Sequence, residues 1–355
     1  MSPASVEAIE EGVRPRGRVL VTGATGVIGR RLLATLVASG VATRALVRDA
    51  GAASAEALRA MGVELVAGEL LDEASLEAAC GGCGVVIDLA AATNRGAVGR
   101  GAMWRVNEHG PANVWRAARA AGVERVVHVS TTGVYGMLRR WPVDEGGELR
   151  PDSVYRRSKL AGDVRLLAAV ADDGPAWVVA RITSVVGPGA HGNWKTMVDA
   201  VAGGRCTLVG AGERPAHVTD IDDIVAMLVR CATAAGAAGR VMLVGTRETT
   251  TIRGLHEAVA AALGVEFSPA RVLPAWPTRP LGLWATRVGA WTGVEPRVLH
   301  AMSFLAGARA YDTSLAAETL GYEARYTIAQ AMRRTVEACR AEGGEVGGQA
   351  RGVAA

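Results

Sequence analysis

No stretch of this chain approaches the ~18 consecutive apolar residues that a membrane-spanning helix needs, although half of its 355 residues are hydrophobic. Apolar content spread in this way predicts a large buried core. Residues 1–16, MSPASVEAIEEGVRPR, lack the apolar centre of a secretory signal and read as a disordered arm. Cysteine is scarce: five residues, an odd number, at 80, 83, 206, 231 and 339. No disulfide framework is expected, and a reducing compartment fits. Cys80 and Cys83 have the spacing of half a metal or redox site, but no second Cys or His pair accompanies them, so no metal is expected. Blocks of like charge are also missing. The formal charge of +4 is scattered among Asp, Glu and Ala, which argues against a nucleic-acid surface. These absences leave the cytoplasm as the expected address and a small molecule as the expected partner.

What the chain does contain is rhythm. Short β-branched runs alternate with longer helix-period runs from RVLVT at residue 18 through VATRALVR, VELVA, GVVIDLA, ERVVHVS and AWVVARI. This alternation predicts an α/β fold, a doubly wound parallel sheet with crossover helices, over residues 17–190. VVID and VVHV are apolar at consecutive positions and should be central strands, covered on both faces. Beyond Gly189 the rhythm loosens. A helix near 193–203, a short strand near 206–209 and a helix starting near Ile221 are expected. Residues 191–340 read mainly as a smaller C-terminal substrate-binding lobe, a strand near 240–244 returning to the sheet, and 341–355 as a disordered tail.

The first strand runs into Thr22-Gly23-Ala24-Thr25-Gly26-Val27-Ile28-Gly29, followed by helical apolar spacing at Ile28, Leu32, Leu33, Leu36 and Val37. Strand, glycines and helix in this order form a Rossmann dinucleotide fingerprint: Gly23 for the tight turn, Gly26 for backbone approach to a pyrophosphate, Gly29 for helix packing. The helix N-terminus would then offer free N–H groups to the phosphates.

The GxxGxxG spacing resembles the short-chain dehydrogenase/reductase superfamily. Tyr155-Arg156-Arg157-Ser158-Lys159 is similar to its YxxxK element, and VSTTGVYG at 129–136 to the strand and loop that supply its catalytic hydroxyl. RITSVVGPG at 181–189, VTDIDDIV at 218–225, and Tyr311-Asp312-Thr313-Ser314 with Leu320-Gly321-Tyr322 resemble strings of the extended branch, which includes NAD-dependent epimerases and dehydratases and 3β-hydroxysteroid dehydrogenase-like enzymes. The likeness covers roughly residues 18–340.

The resemblance implies a catalytic set of Thr131, Tyr155 and Lys159, with Ser130 and Thr132 as alternatives to Thr131. A phenol is a poor base at neutral pH unless a cation favours the phenolate, and Lys159, one helical turn away, has the residue type for that. Implied cofactor contacts are Gly23, Thr25, Gly26, Val27, Ile28 and Gly29 in the first turn, Leu70 against adenine, and Leu89, Ala90 and Ala91 after the fourth strand. Ser130, Tyr155, Lys159, Ile182 and Ser184 complete the set. Asn107 resembles a structural Asn of the family.

At the end of the second strand Val47 stands where NAD enzymes carry an acid, and Arg48 follows it. Arg suits a 2′-phosphate, so NADP is expected, with NAD as the alternative. Sugar-nucleotide enzymes of the branch carry a diphosphate-clamping Arg where this chain has Ala216, with Arg214 two residues early. The acidic pair of the dehydratases is replaced by Thr132 and Gly133. Trp276, Trp284 and Trp291, among several prolines between 273 and 305, suit an apolar substrate mouth, core packing, a dimer contact, or a peripheral membrane helix flanked by Arg279 and Arg287. The leading expectation is a homodimeric NAD(P)-dependent ketoreductase or alcohol dehydrogenase acting on an apolar small molecule. The alternatives are a sugar-nucleotide epimerase or 4-ketoreductase, and a non-catalytic dinucleotide sensor.

Overall fold

A computed structural model describes residues 9, 13–93, 99–190, 194–276 and 307–342. The chain divides into two compact units, one of residues 1–184, 222–247 and 310–324, the other of residues 185–221, 248–309 and 325–355. The expected arm and tail fall mostly outside the described residues. So does the Trp-bearing stretch 277–306, with the candidate membrane-facing helix.

In the first unit β1 (Arg18–Thr22), α1 (Val27–Ala38), β2 (Thr43–Val47), α2 (Ala53–Ala60), β3 (Glu64–Ala67), α3 (Glu73–Cys80) and β4 (Cys83–Asp88) follow one another. Then come α4 (Arg100–Ala120), β5 (Arg125–Thr131), α5 (Val154–Ala169) and β6 (Ala176–Ile182). The strand Arg240–Val244 pairs beside β6, giving a seven-stranded sheet that continues through β5, β4, β1, β2 and β3. Every neighbouring pair is parallel. This is the doubly wound sheet the alternating runs predict. Its strand order reverses between β1 and β4, where ligands of such sheets bind outside the carboxyl ends of the strands.

The apolar runs explain the central strands. Val19, Leu20 and Val21 of β1 and Val86 and Ile87 of β4 are wholly buried, and Leu32, Leu33 and Leu36 of α1 bury the helix stripe set by their spacing. Each such side chain contributes about 1.5–3 kcal/mol relative to exposure. Trp115 of α4 fills the same core, its indole N–H donating to Pro175 O at 3.3 Å. Helix starts follow from local chemistry: Asp72 accepts from Ser75 N at the head of α3, and Ser153 from Arg156 N at the head of α5. One feature interrupts the apolar strands. Thr22 registers with Asp88, and Asp88 with His128, so that three polar side chains stand in line across β1, β4 and β5.

In the second unit, the helices Trp194–Ala202, Ile252–Leu263 and Ile328–Glu342 close on a core that includes Trp194, Met197, Val198, Leu208, Leu255, Val259, Met332 and Val336. Thr251 caps the second of these helices by accepting from Gly254 N. The short strand Thr207–Val209 pairs in parallel with Arg271–Leu273, and Pro215–Ala216 pairs antiparallel with Thr250–Thr251.

Candidate active site

The turn after β1 is built around Gly23. Its φ of +63° lies in the left-handed region, and a Cβ there would come within 2.7 Å of the Leu89 carbonyl carbon and 2.8 Å of Ala90 N. Only glycine lets β1 and the end of β4 lie this close. Gly29 meets a similar limit, since a Cβ would sit 2.4 Å from Gly23 O. Ala90 N donates to Thr22 Oγ1 at 3.1 Å, which fixes the backbone of Leu89, Ala90 and Ala91 beside the turn.

Gly26 is the N-cap of α1 with no side-chain cap and no acid in the first turn. Thr25 and Gly26 are exposed there, and Val27 and Ile28 half-buried. An uncapped helix start at the switch point of a parallel sheet is a ready anion site. The turn therefore fits a dinucleotide pyrophosphate. At the end of β2 Arg48 is exposed and forms no ion pair among the described residues, while Asp49 is engaged with Gly51 N at 2.8 Å. Leu70 is buried under α4, with Asn113 donating to its carbonyl at 3.0 Å.

β5 ends at Ser130, buried, and Thr131, half-buried. Thr131 Oγ1 accepts from Gly133 N at 3.0 Å and caps the 3₁₀ turn Thr132–Tyr135, which leaves its O–H proton to donate. Thr131 registers with Ile182 of β6, and Ser184 follows, half-buried. Asn107 clamps the loop after β4 to α5. It accepts from Ala92 N at 2.8 Å and donates to Ala92 O and Ser158 Oγ, each at 2.9 Å.

Tyr155 lies in the first turn of α5. Burial raises its phenol above the ordinary value, and the nearby Arg156 pulls the other way. Lys159 is 3 % exposed; its Nζ donates to Val129 O at 2.9 Å and stands 3.5 Å from His128 Nε2. Burial lowers the Lys159 ammonium, with Asp88 and Asp163 opposing. The structure thus brings Lys159 to the end of β5, next to Ser130 and Thr131. No hydrogen bond joins the Tyr155 hydroxyl to Thr131 or Lys159 among the described residues.

Sequence reasoning missed the polar cluster that receives Lys159. His128 Nδ1 lies 2.7 Å from Asp88 Oδ2, and Thr22 Oγ1 donates to Asp88 Oδ1 at 2.5 Å. Arg181 Nε donates to Asp163 Oδ2 at 3.1 Å and Nη1 to Tyr135 Oη at 2.9 Å. The available signal was a lone polar residue within each of the otherwise apolar runs VVID and VVHV. Cys80 and Cys83 are both buried. Burial pushes Cys80 up to about 12 and raises Cys83, whose thiol donates to Ala79 O at 3.5 Å.

Residues 19–245 match the NAD dependent epimerase/dehydratase family. The chain belongs to this family. It is accordingly an NAD(P)-dependent enzyme of the extended short-chain dehydrogenase/reductase type, a family of oxidoreductases, epimerases and dehydratases. A 4-hydroxy-2-methyl-3-oxo-4-farnesyl-3,4-dihydroquinoline-1-oxide ketoreductase of Stigmatella aurantiaca is 34% identical over 200 residues, 55% of this chain and 58% of that protein. A UDP-glucose 4-epimerase of Mycolicibacterium smegmatis is 35% identical over 179 residues, 47% of this chain and 56% of the epimerase. The chain thus spans little more than half the length of these two relatives. Among solved structures, a dTDP-glucose 4,6-dehydratase double mutant from Streptomyces venezuelae with NAD bound is similar in fold, with a TM-score of 0.71 at 24% identity over 92% of this chain and 97% of that one. No helix among the described residues is long and apolar enough to cross a membrane.

Proposed function

We propose that the protein is an NADPH-dependent ketoreductase, or alcohol dehydrogenase in reverse, acting on an apolar small molecule. The nicotinamide, when bound, supplies or accepts hydride. Tyr155 gives a proton to the carbonyl oxygen in reduction and takes it back in oxidation. Thr131 donates its free O–H to the same oxygen, and Lys159 provides the positive charge at the end of β5 that favours loss of the phenol proton. Gly23, Gly26 and the uncapped start of α1 receive the pyrophosphate. Arg48, exposed at the end of β2, supports a 2′-phosphate and hence NADP over NAD.

The observation that carries the substrate class is Ala216. It stands where the sugar-nucleotide enzymes of the branch carry a diphosphate-binding Arg, and it is 3% exposed within the core of the second unit. A nucleotide sugar would leave two negative charges without their usual bidentate partner at this position. Val272, Leu273 and Trp276, exposed at 58%, 47% and 81%, add an apolar surface to the same unit. The exposed Val164 and Leu167 on α5 support a homodimer, and the cytoplasm is the proposed location.

The test is a panel of carbonyl substrates with NADPH, followed by nicotinamide absorbance, beside thermal shifts with UDP and dTDP. Faster reduction of hydrophobic ketones than of any nucleotide-linked 4-keto sugar, with no shift by UDP or dTDP, is the expected result. Stabilisation by UDP, or epimerisation of a UDP-hexose with NAD, would replace this reading with the epimerase one.

A further inference from the structure

Asp88, His128, Lys159, Asp163 and Arg181 form a buried cluster with more ionisable groups than the proposed reaction uses; none is more than 5% exposed. Asp88 on β4 faces one ring nitrogen of His128, Nδ1, at 2.7 Å. The other, Nε2, faces two groups of α5: Lys159 Nζ at 3.5 Å and Asp163 Oδ1 at 3.5 Å. From β6, Arg181 binds the second oxygen of Asp163, and from the turn after β5, Tyr135 Oη accepts from Arg181. Thr22 of β1 donates to Asp88.

Charge balance limits how many protons this cluster holds. The set holds two carboxylates, Asp88 and Asp163, and one standing cation, Arg181, so a single further positive charge neutralises it. Lys159 and His128 are both candidates for it, and they stand next to each other. If both were protonated, two cations would be 3.5 Å apart without water between them, which burial makes costly. Asp88 decides how the ring is presented, because a carboxylate against Nδ1 holds the proton on that side and leaves Nε2 bare.

We propose that His128 is a positioning residue for Lys159: Asp88 fixes its Nδ1–H tautomer, and the bare Nε2 accepts from the Lys159 ammonium and shares its proton. Val129 O and His128 Nε2 together hold Lys159 beside Ser130 and Thr131. When the proton moves across, an Nζ–H bond breaks and an Nε2–H bond forms. The amine becomes neutral, the imidazole becomes a cation, and the charge of the cluster is unchanged. Asp163 Oδ1, 3.5 Å from Nε2, then accepts the new N–H. Burial of Lys159 acts in the same direction, since it disfavours the ammonium. His128 thus offers Lys159 a place to put its proton. The inference rests on the reading of Tyr155 and Lys159 as the proton-transfer pair.

Nitrogen-15 spectra of the full chain labelled at its six histidines test it, with the His128 signals identified by their loss in His128→Gln. In the parent at pH 7.5, Nδ1 is expected to carry a proton and Nε2 none. In Lys159→Met, which removes the competing cation, both nitrogens are expected to be protonated. A parent His128 with a proton on Nε2 overturns the proposal without need of the lysine variant, should that variant fail to fold. Identical His128 signals in parent and a folded Lys159→Met overturn it as well. NADPH binding, followed by nicotinamide fluorescence on the same samples, separates the two readings. Binding by a parent whose Nε2 is protonated sinks only the role of His128. A bare Nε2 in a protein that binds no NADPH sinks the cofactor reading instead.

Discussion

Arg181 of β6 and Asp163 of α5 meet at 3.1 Å with both side chains shut off from water. Arg181→Met would keep the bulk of the side chain and leave the Asp163 carboxylate without its guanidinium. Breaking one partner out of a buried pair costs about 3–5 kcal/mol. Urea unfolding of parent and variant measures it, and a loss below about 1 kcal/mol would mean that the pair is no structural anchor.

Acid should act through the same cluster. Burial opposes ionisation of Asp88 and Asp163, yet both are held below the usual carboxylate range, Asp88 by the hydrogen bonds from His128 Nδ1 and Thr22 and the charge on Lys159, Asp163 by the Arg181 guanidinium beside it. A carboxylate whose folded value lies below its unfolded one, near ~4, stabilises the fold fully above that pH. This stability is lost as pH falls through the folded value. The urea midpoint is expected to drop on acidification below about pH 4, and Asp163→Asn, less stable at neutral pH, should show a shallower drop. An acid limb of equal steepness in both proteins contradicts the assignment.

Tyr155→Phe would remove the proposed proton donor and nothing of the phosphate turn. Turnover with NADPH and a hydrophobic ketone should fall by roughly 10²–10⁴-fold, the usual range for a lost general acid, while NADPH affinity changes little. Parent-like turnover in this variant would remove Tyr155 from the mechanism.

In the proposed reading Arg48 discriminates between the cofactors. Arg48→Ala should weaken NADP by about ten- to a hundredfold, as expected for loss of one charge-assisted contact, and leave NAD nearly unchanged. Calorimetry on both proteins with both cofactors decides it; equal affinities of the parent for NADP and NAD would refute the choice.

The sheet was legible because its information is local. Runs such as VVID and VVHV declare buried strands by composition, and the glycines at 23, 26 and 29 declare the turn by spacing. The cluster was not legible. Asp88, His128 and Asp163 lie 40 and 35 positions apart in sequence, and only the strand register and the approach of α5 bring them together. Nor does the spacing of Tyr155 and Lys159 fix where the lysine ends. An i to i+4 pair shares a helix face, but the direction of Nζ is set by Val129 O and His128, which the helix does not encode. The prolines and tryptophans between 273 and 305 suggested an apolar mouth, and all of them except Pro274 and Trp276 fall outside the described residues.

The strand Arg240–Val244, which pairs with β6, is made late by the ribosome. Until it arrives, β6 is the open border of the growing sheet, with its N–H and C=O groups unpaired on one side. Such a border recruits strands from other chains. Any fragment that stops near residue 190 would keep that border permanently, so a truncated "cofactor domain" of this protein should stick to itself during expression even though every glycine of its turn is present.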